Sequence, residues 1–127
     1  MTLSGTVFYA PLRVRVAPNR FREPDLVWLL DANDLRNQNA FWLGANLVVE
    51  IVSPDDVERN TVIKRTDYAA ASIPEYWIVH PAEGTITVLR LTGDTYVVHR
   101  VFHRGDTATS SLLQGFTVSV EVVCDAE

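Results

Sequence analysis

The order of apolar and polar positions predicts a strand-rich chain interrupted by one helix. Thr6–Val16 is rich in β-branched and aromatic residues, and from Arg13 it alternates, with Arg13 and Arg15 on one side and Val14 and Val16 on the other. That is the pattern of a half-exposed strand, which Ala17-Pro18-Asn19 ends. Asp25–Leu30, entered through Pro24, reads as a short buried strand, and the Asn/Asp-rich stretch Asp31–Asn39 as a loop or a short helical turn. Asn46–Val52 is the clearest buried strand, and its only charge is Glu50. Ser53-Pro54-Asp55-Asp56 supplies cap residues and acids that suit a helix N-terminus. A helix is expected near Asp56–Ala71, closed by Pro74. On its wheel Val62, Thr66, Ala69 and Ala70 share one side, and Lys64 and Tyr68, four residues apart, lie roughly opposite.

Tyr76–Val79, Thr85–Leu91 and Thr95–Val101 then read as strands, with turns at Glu83-Gly84 and Gly93-Asp94, and Thr117–Val123 alternates like a closing strand. The order β-β-β-α-β-β-β, with the closing strand after it, predicts an α+β fold in which one main helix covers a mostly antiparallel or mixed sheet. With no repeat, low-complexity segment or Gly/Ser linker, residues 1–127 are expected to form a single domain.

Composition narrows the class. The chain has 127 residues, 47% hydrophobic and 21% charged, which excludes a disordered, collagen-like or disulfide-scaffold protein. Apolar runs such as Leu26–Leu30 and Leu47–Val49 are far too short to span a bilayer, and no membrane partner is expected. A single cysteine, Cys124, makes no internal disulfide, so the expected compartment is the cytoplasm. The net charge is −5, unlike that of a protein that coats nucleic acid. Charge is uneven, however: Arg13, Arg15, Arg20 and Arg22 all precede the first acid, Glu23, so a local basic strip is possible.

Three residues carry the candidate chemistry. Glu50 places a carboxylate inside a buried strand pattern, which requires a counter-charge or a cation. Asp25 heads the apolar run of an expected neighbouring strand. Two such carboxylates are enough for Mg²⁺, which keeps much of its water shell. Against this, Glu50 could pair with an arginine at a strand end and Asp25 could be a turn residue. Lys64 is the only lysine among eleven basic side chains. A compact ammonium does chemistry that a guanidinium does not, although this position also suits a solvated surface lysine. The histidines His80, His99 and His103 lack zinc-ligand spacing, the glycines form no phosphate loop, and Trp28, Trp42 and Trp77 read as core. A small-molecule binding domain is a further class, supported by apolar content alone.

The sequence Glu23-Pro24-Asp25-Leu26, then Leu47-Val48-Val49-Glu50-Ile51-Val52-Ser53-Pro54, then Lys64-x-x-x-Tyr68, then Ile73-Pro74-Glu75-Tyr76-Trp77-Ile78-Val79 resembles the Uma-two family, candidate nucleases of the restriction-endonuclease-like PD-(D/E)XK fold. The likeness runs from about Gly5 to Val123. It implies a restriction-endonuclease-like mixed sheet with one main helix. The N-terminal helices that family members usually carry are expected to be short or absent here. It also implies phosphodiester hydrolysis with Mg²⁺, or Mn²⁺, held by Asp25, Glu50 and the carbonyl of Ile51. The motif would put a lysine two residues after Glu50, where Val52 stands, so Lys64 on the following helix takes that role. Tyr68 would hold the phosphate or orient Lys64. The implied partner is DNA or another nucleic acid, and a homodimer is expected. Asn60, Ser72 and His80 stand where members commonly have Asp, Gly and Asp. The missing N-terminal helices and Asn60 motivate an alternative, a catalytically degenerate member acting as a binding or assembly module, with Asp25 and Glu50 paired to arginines.

Overall fold

The computed structural model describes residues 6–9, 14–18, 20–22, 26–29, 46–53, 58–112 and 117–125. In chain order the elements are β1 (Thr6–Tyr9), β2 (Val14–Ala17), β3 (Arg20–Arg22), β4 (Leu26–Leu29), β5 (Leu47–Ile51), α1 (Glu58–Ala70), β6 (Glu75–His80), β7 (Thr85–Thr92), β8 (Thr95–His103), β9 (Thr107–Thr109), β10 (Thr117–Ser119) and α2 (Val120–Asp125). The main sheet has the order β1-β4-β5-β6-β7-β8, and β2-β3 and β9-β10 form two small ribbons. Neighbours in the main sheet are antiparallel except β5 and β6. That parallel pair needs a crossover, and α1 supplies it. The fold is therefore α+β with a mixed sheet and few helices, as the sequence predicts. Among the described residues, no helix is long and apolar enough to cross a membrane.

Alternation along the strands builds a core on each face. On one face Val48, Tyr76, Ile78, Leu89 and Tyr96 pack with Tyr68, Ala69 and Ile73 of the α1 region and with Val16 of β2. On the other face Leu47, Val49, Trp77, Val79, Ile86, Val88 and Phe102 pack with Ala108, Val120 and Cys124. Burial of Cys124 pushes its thiol pKa up. The pairing of β7 with β8 steps from Val88↔Arg100 to Leu89↔Val98, leaving His99 as the extra residue of a bulge. The bulge reverses the parity of β8, so Tyr96 enters the first core and Phe102 the second.

Helix α1 ends in a Schellman motif. The Ser72 N–H donates to the Ala69 carbonyl (2.9 Å) and the Ile73 N–H to the Tyr68 carbonyl (3.2 Å). Ser72 takes φ 58°, the left-handed conformation that favours glycine, and Ile73 and Tyr68 close the motif inside the core. A second constrained position is Gly84, at φ 68°, where a Cβ would lie 2.8 Å from the Arg104 side chain.

Three expectations need correction. The run Thr6–Val16 is not one strand: β1 and β2 belong to different sheets. Pro11 within that run has no N–H for a ladder. The predicted closing strand Thr117–Val123 stops at Ser119 and becomes α2. There the Val122 N–H meets the Ser119 hydroxyl at 3.4 Å, and Val120 and Cys124, four apart, are buried while Val122 is 69% exposed. Valines at alternate positions imitated a strand, but the buried pair has helical spacing. The third correction concerns the face of α1. Val62 is 54% exposed, and Thr66 and Ala70 also face outward, whereas Asp67, Tyr68 and Ala69 are buried. Polar residues line the covered side because they find charged partners across it.

Candidate active site

Glu50 lies near the C-terminal end of β5, whose preceding residues Leu47, Val48 and Val49 are all buried. Glu50 pairs in register with Ile78 of β6 and shares the parity of Val48, so it sits on the face that α1 covers. It is only 5% exposed. Helix periodicity brings Lys64 and Tyr68 onto its carboxylate together. The Tyr68 hydroxyl donates to Oε2 at 2.5 Å, and Lys64 Nζ lies 3.6 Å from Oε1. Burial, then the charge of Glu50 and this hydrogen bond, hold the Tyr68 pKa far above its usual range. Tyr68 is therefore a neutral donor across the physiological range. Lys64 remains half-buried, its ammonium between the carboxylate and solvent.

Of the sequence candidates, Glu50, Lys64 and Tyr68 are thus assembled in one place. Ile51 follows Glu50 at the strand end and its residue is exposed. Asp25 lies outside the described residues, and so do Asp55 and Asp56. Beside the assembled group sits an ion pair the sequence reading missed. Arg22 of β3 reaches Asp67 of α1, with Nε at 2.8 Å and Nη2 at 2.6 Å from Oδ2. This pair and the burial of Val16 seat the β2–β3 ribbon on α1. Two signals were available: Asp67 stands three residues after Lys64, and Arg22 ends the acid-free N-terminal stretch.

A second buried carboxylate was also missed. Glu75, 1% exposed, accepts from Trp77 Nε1 (2.9 Å), from the Ser110 hydroxyl (2.5 Å), from the Ser111 N–H and hydroxyl (2.8 and 2.6 Å) and from the Leu112 N–H (3.2 Å). Trp77 is core, as expected, while the side chains of Trp28 and Trp42 lie outside the described residues.

A carboxylate such as that of Glu50 is a ligand type that hard cations take. Among the described residues, no three His, Cys, Asp or Glu side chains gather as a metal cluster.

The profile of the Uma2 family, described as "putative restriction endonuclease", matches residues 2–121. The chain belongs to the Uma2 family. A solved structure shares the fold: a "putative nuclease belonging to DUF820" from Anabaena variabilis ATCC 29413 superposes with a TM-score of 0.71 at 19% identity, over 94% of this chain and 67% of that one. No curated protein matches significantly. Within this Uma2 chain, the motifs around Glu50 and around Lys64–Tyr68 meet at one end of the sheet.

Proposed function

We propose that this Uma2 protein is a metal-dependent nuclease that hydrolyses phosphodiester bonds at the Glu50 end of β5. The observation that carries the reading is the buried Glu50 carboxylate held between the Tyr68 hydroxyl and the Lys64 ammonium. Glu50 and Asp25, with the Ile51 carbonyl, would hold Mg²⁺ or Mn²⁺. Asp25 precedes Leu26, and Leu26 pairs with Val49, the residue before Glu50. When bound, such an ion supplies Lewis-acid stabilisation of the phosphoryl group and an activated water at neutral pH. Tyr68 fixes the rotation of the Glu50 carboxylate by donating to one oxygen. Lys64 places a mobile positive charge where negative charge develops on the phosphate, or orients the attacking water. Arg22, bonded to Asp67, holds the β2–β3 ribbon against the site.

The test is cleavage of plasmid and single-stranded DNA with Mn²⁺ by the wild type and Glu50→Ala, each checked for folding. Cleavage that disappears in the variant supports the reading. Equal cleavage by both overturns it. No cleavage by either favours the degenerate binding module, which Asn60, in place of the usual Asp, motivates. The proposal keeps the expected homodimer, which light scattering on the eluted protein checks.

A further inference from the structure

The sheet register places a row of polar side chains just beyond Glu50, leading to the edge strand β8. Glu50 pairs with Ile78 of β6, and the Val52 N–H donates to the Val79 carbonyl at 2.9 Å, so β5 and β6 stay paired past Glu50. His80 stands two residues after Ile78 and shares its face, which is also the face of Glu50. His80 pairs with Thr85 of β7, and Thr85 pairs with His103 of β8. Parity agrees at each step: Ile86 and Phe102, the chain neighbours of Thr85 and His103, belong to the opposite core. His80, Thr85 and His103 thus form one row on the Glu50 face, on three adjacent strands. The row lies about 7 Å beyond Glu50 along the strands, with about 5 Å between neighbouring strands.

The row is accessible. His103 is exposed, and His80 and Thr85 are half-buried. All three side chains can donate a hydrogen bond, and none of them is engaged by another described residue. The row itself holds no acid. Of the acids close by in sequence, Asp106 accepts from the His103 N–H at 2.9 Å, and Glu83 sits in the turn between β6 and β7. In a chain of net charge −5, this is an acid-free band of donors beside the carboxylate at which cleavage is proposed.

We propose that His80, Thr85 and His103 hold the sugar–phosphate backbone of the nucleic acid where it leaves the Glu50 site. His80 and Thr85 bind the phosphate next to the one cleaved, and His103 binds the backbone nearer the sheet edge. Phosphate oxygens accept without donating, and such contacts fix the position of a strand without reading its bases. The identity of the ligand rests on the nuclease reading. The inference adds the path of the strand, from β6 across β7 to β8.

The experiment measures anisotropy of a labelled short duplex and a labelled single strand in Ca²⁺. The proteins are the wild type, His80→Gln, His103→Gln, the double variant and His99→Gln. His99 is exposed at the bulge of β8 and lies outside the row, so it serves as the control. His80→Gln is expected to bind about fivefold more weakly and His103→Gln about threefold, with the double variant near the product because the two touch different parts of the backbone. His99→Gln is expected to stay within about twofold of the wild type. A double variant within about twofold of the wild type on both probes overturns the inference. So does a His99→Gln loss as large as that of His80→Gln, or a wild type that binds neither probe. If His80→Gln does not fold, His103→Gln at the exposed edge decides alone, and unchanged affinity there overturns the inference. Parallel Mn²⁺ cleavage separates the two proposals. Binding that weakens in the double variant, without cleavage by any protein, leaves this inference standing and removes the nuclease reading. Cleavage by a double variant that binds like the wild type does the reverse.

Discussion

Glu50 and Glu75 are buried carboxylates on adjacent parallel strands, yet they are neutralised in different ways. Glu75 opens β6 and shares the face of Trp77, while Glu50 lies near the end of β5 on the opposite face. Around Glu75 the acceptors are saturated by hydroxyl, indole and backbone donors, and the effect is to fasten the segment after β9 to the start of β6. Around Glu50 there is a half-buried ammonium at 3.6 Å and a tyrosine hydroxyl. A saturated carboxylate holds a fold together. One that shares its charge with a part-exposed lysine is where we propose a ligand binds.

The largest effect expected from this contrast is at the saturated carboxylate. Glu75→Ala leaves donors of Trp77, Ser110, Ser111 and Leu112 without their acceptor, and should lower stability by about 4 kcal/mol, read as a fall in the urea midpoint. Glu50→Gln keeps the shape and an acceptor for Tyr68. It should reduce Mn²⁺-dependent cleavage by about a hundredfold or more while changing stability by less than about 1 kcal/mol. If Glu50→Gln unfolds the protein as Glu75→Ala does, the two carboxylates do the same job and the contrast collapses.

Among the described residues, three buried tyrosines in the core on the Glu50 face give that side a pH signature. Tyr68, Tyr76 and Tyr96 all have pKa values raised chiefly by burial, above the ordinary value near 10. Below that value neither state ionises them. Above it the unfolded chain loses protons that the folded protein keeps, so stability falls as pH rises, by about 1.4 kcal/mol per pH unit for each tyrosine. Tyr68→Phe should make the alkaline slope shallower by that amount in urea titrations between about pH 10 and pH 11. The smallest effect is at the cap of α1: Ser72→Gly relieves a left-handed serine and should add about 0.5 to 1 kcal/mol. Because Tyr68 accepts the closing bond of that motif, the gain should appear without any change in cleavage.

Most of the sheet was readable because its strands are bounded by turn residues and carry clean apolar runs. Leu47–Ile51, the hairpin turn at Gly93-Asp94 and the β5-α1-β6 order follow from local signals. Elements whose burial depends on a distant partner were not readable. Val120–Cys124 has strand-like alternation and became helical because Val120 and Cys124 dock on the second core. The exposed Val62 and buried Asp67 reverse the face that hydrophobicity assigns to α1. The bulge at His99 has no residue signature of its own, yet it decides which core Tyr96 and Phe102 join.

The sequence by itself determined the order of most elements, Glu50 as an acid inside a buried strand, the lone lysine and the tyrosine one turn after it. Each is a local property: a period, a spacing, or a residue type out of place. Only the tertiary structure decided that Lys64 and Tyr68 close on Glu50, that Arg22 joins Asp67, that Glu75 is saturated and that the Tyr76 hydroxyl is left without a partner. Those outcomes depend on which donors and acceptors meet across the sheet, helix and ribbon. Hydrogen bonds and ion pairs act over a few ångströms between residues tens of positions apart, and no pattern along the chain records that meeting.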